Sequence, residues 1–356
     1  MFSFIFFRFS DISSYMSVIE MSNYERLKDL VQWLSFFFSI FFNSVLILLI
    51  VTKSPKKMGN YRYLMLYFSC FAIFFSTLDV IVGPFIHAHG TSACLLMRKS
   101  ESEVVANIQY ILLILLCSCF GVTITFFSIH FVFRYFALER KGRISYFDGE
   151  YLFIWFSIPI FCGSIWGATL HFLVRNNDET TENLRASFLL HYNLETKDVI
   201  YTGASYWRTN ENGKMEMVIT SVIAACIFFT IKGASFSIVC YYGYLSYRRI
   251  SELPNEGDSA FTRSLQRQLY KSLVIQAAIP ILLMYLPIGT FLILPAFNVN
   301  IESFSKLATL FYAVYPAVDP LPLFFIIDNY RIALRGCFYG CFSVKVNRVS
   351  VTEDDG

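Results

Sequence analysis

The chain has 356 residues, of which 56% are hydrophobic and only 15% are charged, and its mean hydropathy is +0.53. A soluble domain usually carries about 25% charged residues, so this balance excludes an ordinary soluble protein and indicates a membrane protein. The formal net charge of +3 gives no reason to expect a nucleic-acid partner. The nine cysteines form no CxxC pair and no Cys/His spacing suited to a metal, so neither a metal nor a cofactor is predicted.

Seven stretches are apolar over a length sufficient to cross a bilayer, which takes about 20 residues in a helix. In chain order the predicted spans are 33–52, 62–86, 104–133, 151–173, 216–243, 269–294 and 304–327. The second should end at Gly83-Pro84. The spans divide the chain into an extracellular N-terminal segment 1–32, a membrane domain 33–327 and a cytoplasmic tail 328–356.

Lysine and arginine are distributed unevenly over the connections between the spans. The first, third and fifth connections and the tail are rich in both, whereas the alternate connections are poorer or mix in acid, as 174–215 does. Cytoplasmic loops carry the excess of lysine and arginine, so we predict an all-α membrane protein, a seven-transmembrane helix bundle with its N-terminus outside and its C-terminus cytoplasmic. The apolar N-terminal segment MFSFIFFRFS (1–10) is interrupted by Arg8 and shows no small-residue cleavage site, so no signal peptide is expected.

Four segments together carry a family resemblance. They are KSPKKMGNYRYLMLY (53–67), IHFVFRYFAL (129–138), SLQRQLYKSLVIQAAIPILLMYLP (264–287) and YPAVDPLPLFFIIDNYR (315–331). In this order they resemble the serpentine receptor class r (Str) family of nematode seven-transmembrane chemoreceptors, over about residues 40 to 335. The resemblance implies an olfactory-type G-protein-coupled receptor in the plasma membrane, specifically the ciliary membrane of sensory neurons. Its expected partners are a small odorant or soluble chemical, a heterotrimeric G protein and membrane lipid.

The tripeptide Phe133-Arg134-Tyr135 lies where rhodopsin-like receptors carry Asp-Arg-Tyr, at the inner end of the third helix. By that resemblance Arg134 and Tyr135 belong to the switch that couples to the G protein. Because phenylalanine replaces the acid, a local ion pair is not expected. The alternative is that Arg134 is a positively charged anchor at a helix end.

Two more polar positions inside predicted spans resemble parts of the rhodopsin-like switch. Asn43, in the first span, is either a switch residue or an amide that bonds to a neighbouring helix. Asp319-Pro320, in the seventh, resembles the Asn-Pro step and is predicted to form a polar hinge. A carboxyl at this depth is protonated or has partners, and the candidates are Asn43 through water and then Lys232. The alternative is a purely structural kink.

A ligand is expected to bind between the outer halves of the helices. Candidate residues chosen by depth alone are Asp79, Tyr110, Tyr285, Tyr312 and Tyr315. Asp79 is alternatively a polar residue at the membrane interface. His87 and His89 form a His-x-His pair, but two ligands without a third are weak evidence for a metal. Lys232 is expected in the inner half of the fifth span, where it reaches the cytoplasmic headgroups or pairs with a buried acid.

The segments outside the spans raise two further expectations. The segment YRIALRGCFYGCF (330–342) is predicted to form a short amphipathic helix on the inner leaflet, and Cys337 and Cys341 are candidates for palmitoylation or are unmodified. The connection 174–215 contains no cysteine, although rhodopsin-like receptors tie this loop to the third helix by a disulfide. Cys94 therefore has no visible partner, and the sequence does not indicate what orders a lid.

Two other functional classes compete with a receptor. A ligand-gated channel or a transporter is the main alternative, but the chain shows no carbonyl filter sequence, no arginine ladder and no repeated halves. A membrane enzyme such as a seven-span zinc hydrolase is disfavoured because the five histidines include no HExxH. We therefore expect a receptor and not an enzyme.

Overall fold

The computed structural model describes residues 2–139, 143–175, 178–192, 194–209, 213–252, 259–299 and 301–337, with only the backbone described at 2–22, 178, 179, 183, 190 and 191. Within these residues, seven helical segments are long and apolar enough to cross a membrane. Spans 1 to 7 are Asn23–Lys53, Tyr61–Val82, Glu103–Glu139, Tyr151–Leu173, Ile219–Glu252, Ala260–Phe297 and Glu302–Ile326. The predicted seven-helix bundle is confirmed.

Helix ends agree with the sequence where a local signal sets them. Span 4 has the predicted bounds, and span 2 ends at Val82 because Gly83 takes the left-handed conformation (φ 56) that closes a helix. Other helices continue beyond their apolar part. The helix of span 1 runs from Phe2 to Lys53, and span 5 continues to Glu252. Hydropathy reports where a helix crosses the bilayer, not where the helix ends.

Spans 6 and 7 are not continuous α-helices. Span 6 consists of an α-helix Ala260–Pro280, a π-helical turn Ile281–Tyr285, an α-helix Leu286–Ile293 and a 3₁₀ turn Leu294–Phe297. Span 7 consists of Glu302–Val318 and Leu321–Ile326, joined at Asp319-Pro320. Prolines lack the N–H that an α-helix needs, so they interrupt the hydrogen-bond ladder at these places.

Smaller elements cap the two ends of the bundle. A helix Asp178–Tyr192 lies in the connection between spans 4 and 5, and a helix over 328–337 follows span 7 where the amphipathic helix was predicted. Short 3₁₀ turns occupy Lys56–Met58, Arg143–Phe147 and Thr196–Asp198. The exposed Cys337 ends the described part of the tail, and Cys341 lies outside the described residues.

A β-sheet that was not predicted covers one end of the bundle. Strands β1 (Phe85–His89), β2 (Ser92–Arg98) and β3 (Val199–Ser205) form an antiparallel sheet in the order β1-β2-β3. Strands β4 (Trp207–Thr209) and β5 (Met215–Met217) form a separate antiparallel pair. The all-α prediction thus holds for the membrane domain but not for its connections. We call this end of the bundle the sheet end and the other the opposite end.

The sheet joins the long connection to the residues that precede span 3. Cys94 of β2 stands opposite Gly203 of β3, and Cys94 is a free, buried thiol. The Tyr206 hydroxyl donates to the Leu292 carbonyl oxygen (2.6 Å), and the Trp207 indole donates to that of Ala296 (2.7 Å), both at the end of span 6. We call the segments 85–98 and 199–209 together the lid. The backbone ladder and these two bonds order the lid without the disulfide of rhodopsin-like receptors.

Gly203 is the tightest point of the sheet, because a Cβ there would collide with the Ala93 carbonyl oxygen and with Cys94. We expect Gly203→Ala to destabilise the protein by about 1–3 kcal/mol, seen as a lower midpoint of thermal unfolding in detergent. Gly233→Ala is the matched control, because no atom lies within 4 Å of the Cβ it would add. Equal midpoints for the two variants would contradict this role of Gly203.

Candidate functional site

A cavity of about 90 Å³ lies directly beneath the sheet. Strands β1, β2 and β3 form its roof, and spans 3 to 7 form its walls. The principal wall residues are Phe120, Trp166, Phe228, Ile288, Phe291 and Tyr312. A molecule in the cavity would therefore contact five of the seven spans and the sheet at once.

The cavity wall is almost entirely apolar, and none of the described residues that line it is charged. The Tyr312 hydroxyl donates to the Leu116 carbonyl oxygen (3.3 Å), and the Thr202 hydroxyl donates to that of Val174 (3.5 Å). Burial raises the pKa of the Cys94 thiol, which therefore stays neutral. The wall can bury apolar surface and offers the lone pairs of a few hydroxyl groups, but it cannot compensate a charge.

An aromatic cluster forms one corner of the cavity. Trp166 of span 4 stacks on Phe228 of span 5 (ring centroids 4.2 Å apart) and meets Phe120 of span 3 edge-on (5.0 Å). Span 4 approaches this closely because a Cβ on Gly163 or Gly167 would collide with span 3. Sequence reasoning missed this cluster, although the Gly163-x-x-x-Gly167 spacing is the small-residue pattern by which membrane helices pack closely.

Three of the tyrosines predicted to bind ligand are buried in spans 6 and 7. Tyr312 lines the cavity. Tyr285 lies nearby, and its hydroxyl donates to the Ile124 carbonyl oxygen of span 3 (3.2 Å). Tyr315 packs against Phe75 of span 2 (6.2 Å between centroids) and does not line the cavity. The ligand-binding role of these residues stays a prediction.

The other two predicted ligand residues lie outside the cavity wall. Tyr110 borders a separate polar crevice at the sheet end, and its hydroxyl is 3.1 Å from Nδ1 of His171. Asp79 is buried at the end of span 2, where it accepts a hydrogen bond from Gln32 (3.1 Å) near the buried ammonium of Lys28. Asp79 thus joins spans 1 and 2 beneath the lid.

Both histidines of the His-x-His pair lie in strand β1, but only one of them is buried. His87 is buried, with Nε2 at 2.8 Å from the Ser187 hydroxyl and Nδ1 at 3.2 Å from that of Tyr192. His89 is exposed at the end of β1. Among the described residues, no group of three or more His, Cys, Asp or Glu side chains could hold a metal ion. His87 instead fastens the loop helix to the sheet.

At the opposite end, Arg134 is almost fully buried and bridges spans 3 and 6. Its guanidinium donates to the side-chain oxygen of Gln266 (2.5 Å) and lies over the Tyr61 ring (5.1 Å). The partner that sequence reasoning missed is therefore a neutral amide on another helix. Tyr135 points elsewhere, with its hydroxyl donating to Glu139 (3.3 Å).

The break in span 7 is held by two amides. Gln276 of span 6 donates to the Asp319 carbonyl oxygen (3.2 Å) and approaches its carboxyl (3.4 Å). Asn43 of span 1 donates to the Pro316 carbonyl oxygen (3.2 Å), one turn before Pro320. The direct side-chain partner of Asp319 is thus Gln276, which sequence reasoning did not identify, and the hinge role of this step stays a prediction.

Lys232 lies about 20 Å along the helix from Ile219 and about 30 Å from Glu252. Its expected position in the inner half of the span stays a prediction, because the helix continues beyond its apolar segment. The ammonium donates to the Tyr285 carbonyl oxygen (2.6 Å), at the end of the π turn. It fits there because residue 289 is glycine. A Cβ at this position would collide with Nζ of Lys232.

The contact between Lys232 and Gly289 can be isolated by a double-mutant cycle. We expect Gly289→Ala to lower the midpoint of thermal unfolding by an amount equivalent to about 1–3 kcal/mol, because the ammonium must move. In the Lys232→Met background the same substitution should cost much less, because no ammonium is anchored there. Gly233→Ala should change the midpoint equally in both backgrounds, by no more than the gain of about 1 kcal/mol that alanine gives a helix. Additive effects of the two substitutions would show that they do not share one contact.

The sequence model described as "Serpentine type 7TM GPCR chemoreceptor Str" matches residues 28–335, from within span 1 to the helix that follows span 7. The chain belongs to the Str family of serpentine chemoreceptors. It is thus a multi-pass membrane protein of a family of G-protein-coupled receptors, and none of the relatives found supports a channel or a transporter.

Curated relatives of this Str receptor cover most of its length. It is 30% identical to "Serpentine receptor class r-10" of Caenorhabditis elegans over 293 residues, 81% of this chain and 84% of the relative. It is 28% identical to "G-protein coupled receptor str-217" of the same organism over 299 residues, 83% of this chain and 85% of the relative. It is 26% identical to "G-protein coupled receptor str-33" over 323 residues, 90% of this chain and 93% of the relative.

Proposed function

We propose that this Str receptor binds a small, uncharged and mainly apolar molecule in the cavity beneath the sheet, and that binding there activates a heterotrimeric G protein at the opposite end. The observation that carries the proposal is the cavity itself, an apolar chamber roofed by the lid and walled by spans 3 to 7. Its volume of about 90 Å³ lies below the range of about 300–1,000 Å³ usual for small-molecule sites, so only a compact ligand fits without displacing the wall.

The chemistry of the wall selects the class of ligand. An ionised group moved from water into this chamber would lose its hydration without meeting an opposite charge, which is strongly unfavourable. Apolar surface gains about 25 cal/mol per Å² on entering. The hydroxyl groups of Thr202 and Tyr312 already donate to the backbone, so each offers only acceptor capacity or a shared proton. A volatile or sparingly soluble odorant with at most one or two weak polar groups meets these conditions.

Span 6 connects the cavity with the opposite end. Ile288 and Phe291 contribute to the cavity wall, and the π turn with the Lys232 contact lies one turn farther along the same helix. At its other end this helix carries Gln266, the partner of Arg134. A ligand that displaces the cavity wall would therefore change the packing of span 6 and the bond that buries Arg134.

The proposed orientation places the sheet end outside the cell and the tail in the cytoplasm, since the basic connections lie at the opposite end. By family, the receptor is then a plasma-membrane protein of the sensory cilium. The lid faces the environment from which the ligand arrives. Palmitoylation of Cys337 and Cys341 on the cytoplasmic side is part of the same proposal.

Filling the cavity should abolish the response to its ligand. The wild-type receptor, expressed in cultured cells, is screened by calcium response with uncharged alcohols, ketones, esters and aromatics, and with carboxylates and amines of the same carbon skeletons. We expect responses among the uncharged compounds only. For any active compound, Ile288→Trp should raise the half-maximal concentration at least about tenfold, because the indole occupies the chamber.

The control for that variant is Ile293→Trp, which adds the same indole to an exposed position of the same helix (41% exposed). Surface expression of both variants is measured with an N-terminal tag on intact cells. An unchanged response of Ile288→Trp at normal surface level, or activation by the charged compounds alone, would remove the cavity from the proposal.

Arg134 should be needed for coupling but not for ligand binding. We expect Arg134→Ala to reduce G-protein activation to background while surface expression persists, because no other described group of span 3 replaces the bond to Gln266. Arg62→Ala, which removes an exposed arginine at the same end, should retain the response. Full signalling by Arg134→Ala would exclude Arg134 from the switch.

A further inference from the structure

Three basic side chains form a stripe along the beginning of span 6. Arg263, Arg267 and Lys271 follow one another at intervals of four residues, so they lie on one face of the helix. That face is roughly opposite to the one that carries the buried Leu265 and Leu269. The stripe therefore faces away from the centre of the bundle, toward lipid.

The stripe lines an open groove, to which the polar side chains of Ser264 and Gln268 also contribute. Among the described residues, no carboxylate forms an ion pair with Arg263, Arg267 or Lys271. Three positive charges on one surface repel one another, and an anion in the groove would relieve that repulsion.

The depth of the groove matches a lipid headgroup. Gln268 donates to the Asp328 carboxyl (2.5 Å) and accepts from its backbone N–H (2.9 Å), just after span 7 ends at Ile326. Lys271 lies about 5 Å on the membrane side of this level and Arg263 about 8 Å on the other. The stripe thus extends over about 12 Å along the helix axis, and the proposed orientation places it in the polar layer of the cytoplasmic leaflet.

We propose that this stripe, Arg263, Arg267 and Lys271, is a binding site for the polyphosphorylated inositol headgroup of a lipid in the cytoplasmic leaflet. A multivalent phosphate can contact all three cations at once, whereas a headgroup with a single negative charge cannot. The outward direction of the stripe favours a lipid over a protein segment inserted into the bundle. The inference rests on the proposed orientation of the chain but not on the ligand cavity.

The test uses the full-length receptor in nanodiscs of phosphatidylcholine. One set of nanodiscs also contains a phosphatidylinositol bisphosphate, and a second set contains enough phosphatidylserine to carry the same total negative charge. Lipid binding is measured by native mass spectrometry and with a fluorescent phosphoinositide. The stripe variant combines Arg263→Gln, Arg267→Gln and Lys271→Gln. The control combines Lys56→Gln, Arg62→Gln and Arg335→Gln, which removes three exposed charges from the same end.

We expect the phosphoinositide to bind the wild type and the control with similar affinity, and the stripe variant to bind it at least about tenfold more weakly. Thermal unfolding verifies that both variants are folded. Equal losses in stripe and control variants, or equal binding of phosphatidylserine, would overturn the site in favour of general charge attraction.

Two further experiments test whether the phosphate belongs to a lipid or to a soluble molecule, and whether the stripe contacts the G protein. Soluble inositol trisphosphate should compete only weakly with the lipid, and binding as tight as that of the lipid would identify a soluble ligand instead. G-protein activation in phosphatidylcholine alone should be the same for the stripe variant and the wild type. A loss of activation there, with lipid binding intact, would assign the stripe to the G protein and overturn the lipid site.

Discussion

Inside a bilayer every backbone carbonyl needs a donor from the protein, and the prolines of this chain remove such donors. Pro320 has no N–H for the Pro316 carbonyl oxygen four residues earlier, and Asn43 donates to that oxygen instead. Gln276 donates to the carbonyl oxygen of Asp319, because the Leu323 N–H bonds to the Pro320 carbonyl oxygen instead. Amides from spans 1 and 6 thus hold span 7 where its own hydrogen-bond ladder is broken. The bundle is tied together at the points where a helix is weakest.

Span 6 follows the same rule with a cation as the donor. Lys232 would be costly in the membrane without a partner, and it meets the Tyr285 carbonyl oxygen at the end of the π turn. Gly289 provides the space for this contact. The irregular part of span 6 lies between the cavity and Gln266, so the helix that contacts the ligand site is also the one that contacts Arg134.

The lid shows how a loop without a disulfide becomes ordered. Cys94 is a free, buried thiol opposite Gly203, and the strands on either side of it pair along their whole lengths. Side chains of the same segment then bond to the end of span 6, through Tyr206 and Trp207. The roof of the cavity is therefore attached to the helix whose displacement is proposed to transmit the signal.

Local signals in the sequence determined the seven spans, the stop of span 2 at Gly83 and the break of span 7 at Asp319-Pro320, because hydropathy, proline and glycine act within a few residues. Only the tertiary structure decided the partners. The sheet pairs residues 92–98 with 199–205, and Arg134 meets Gln266 on another helix. Neutral amides in a helix leave no periodic pattern, and strand pairing across such distances depends on how the spans pack. The cavity exists only where those distant segments converge.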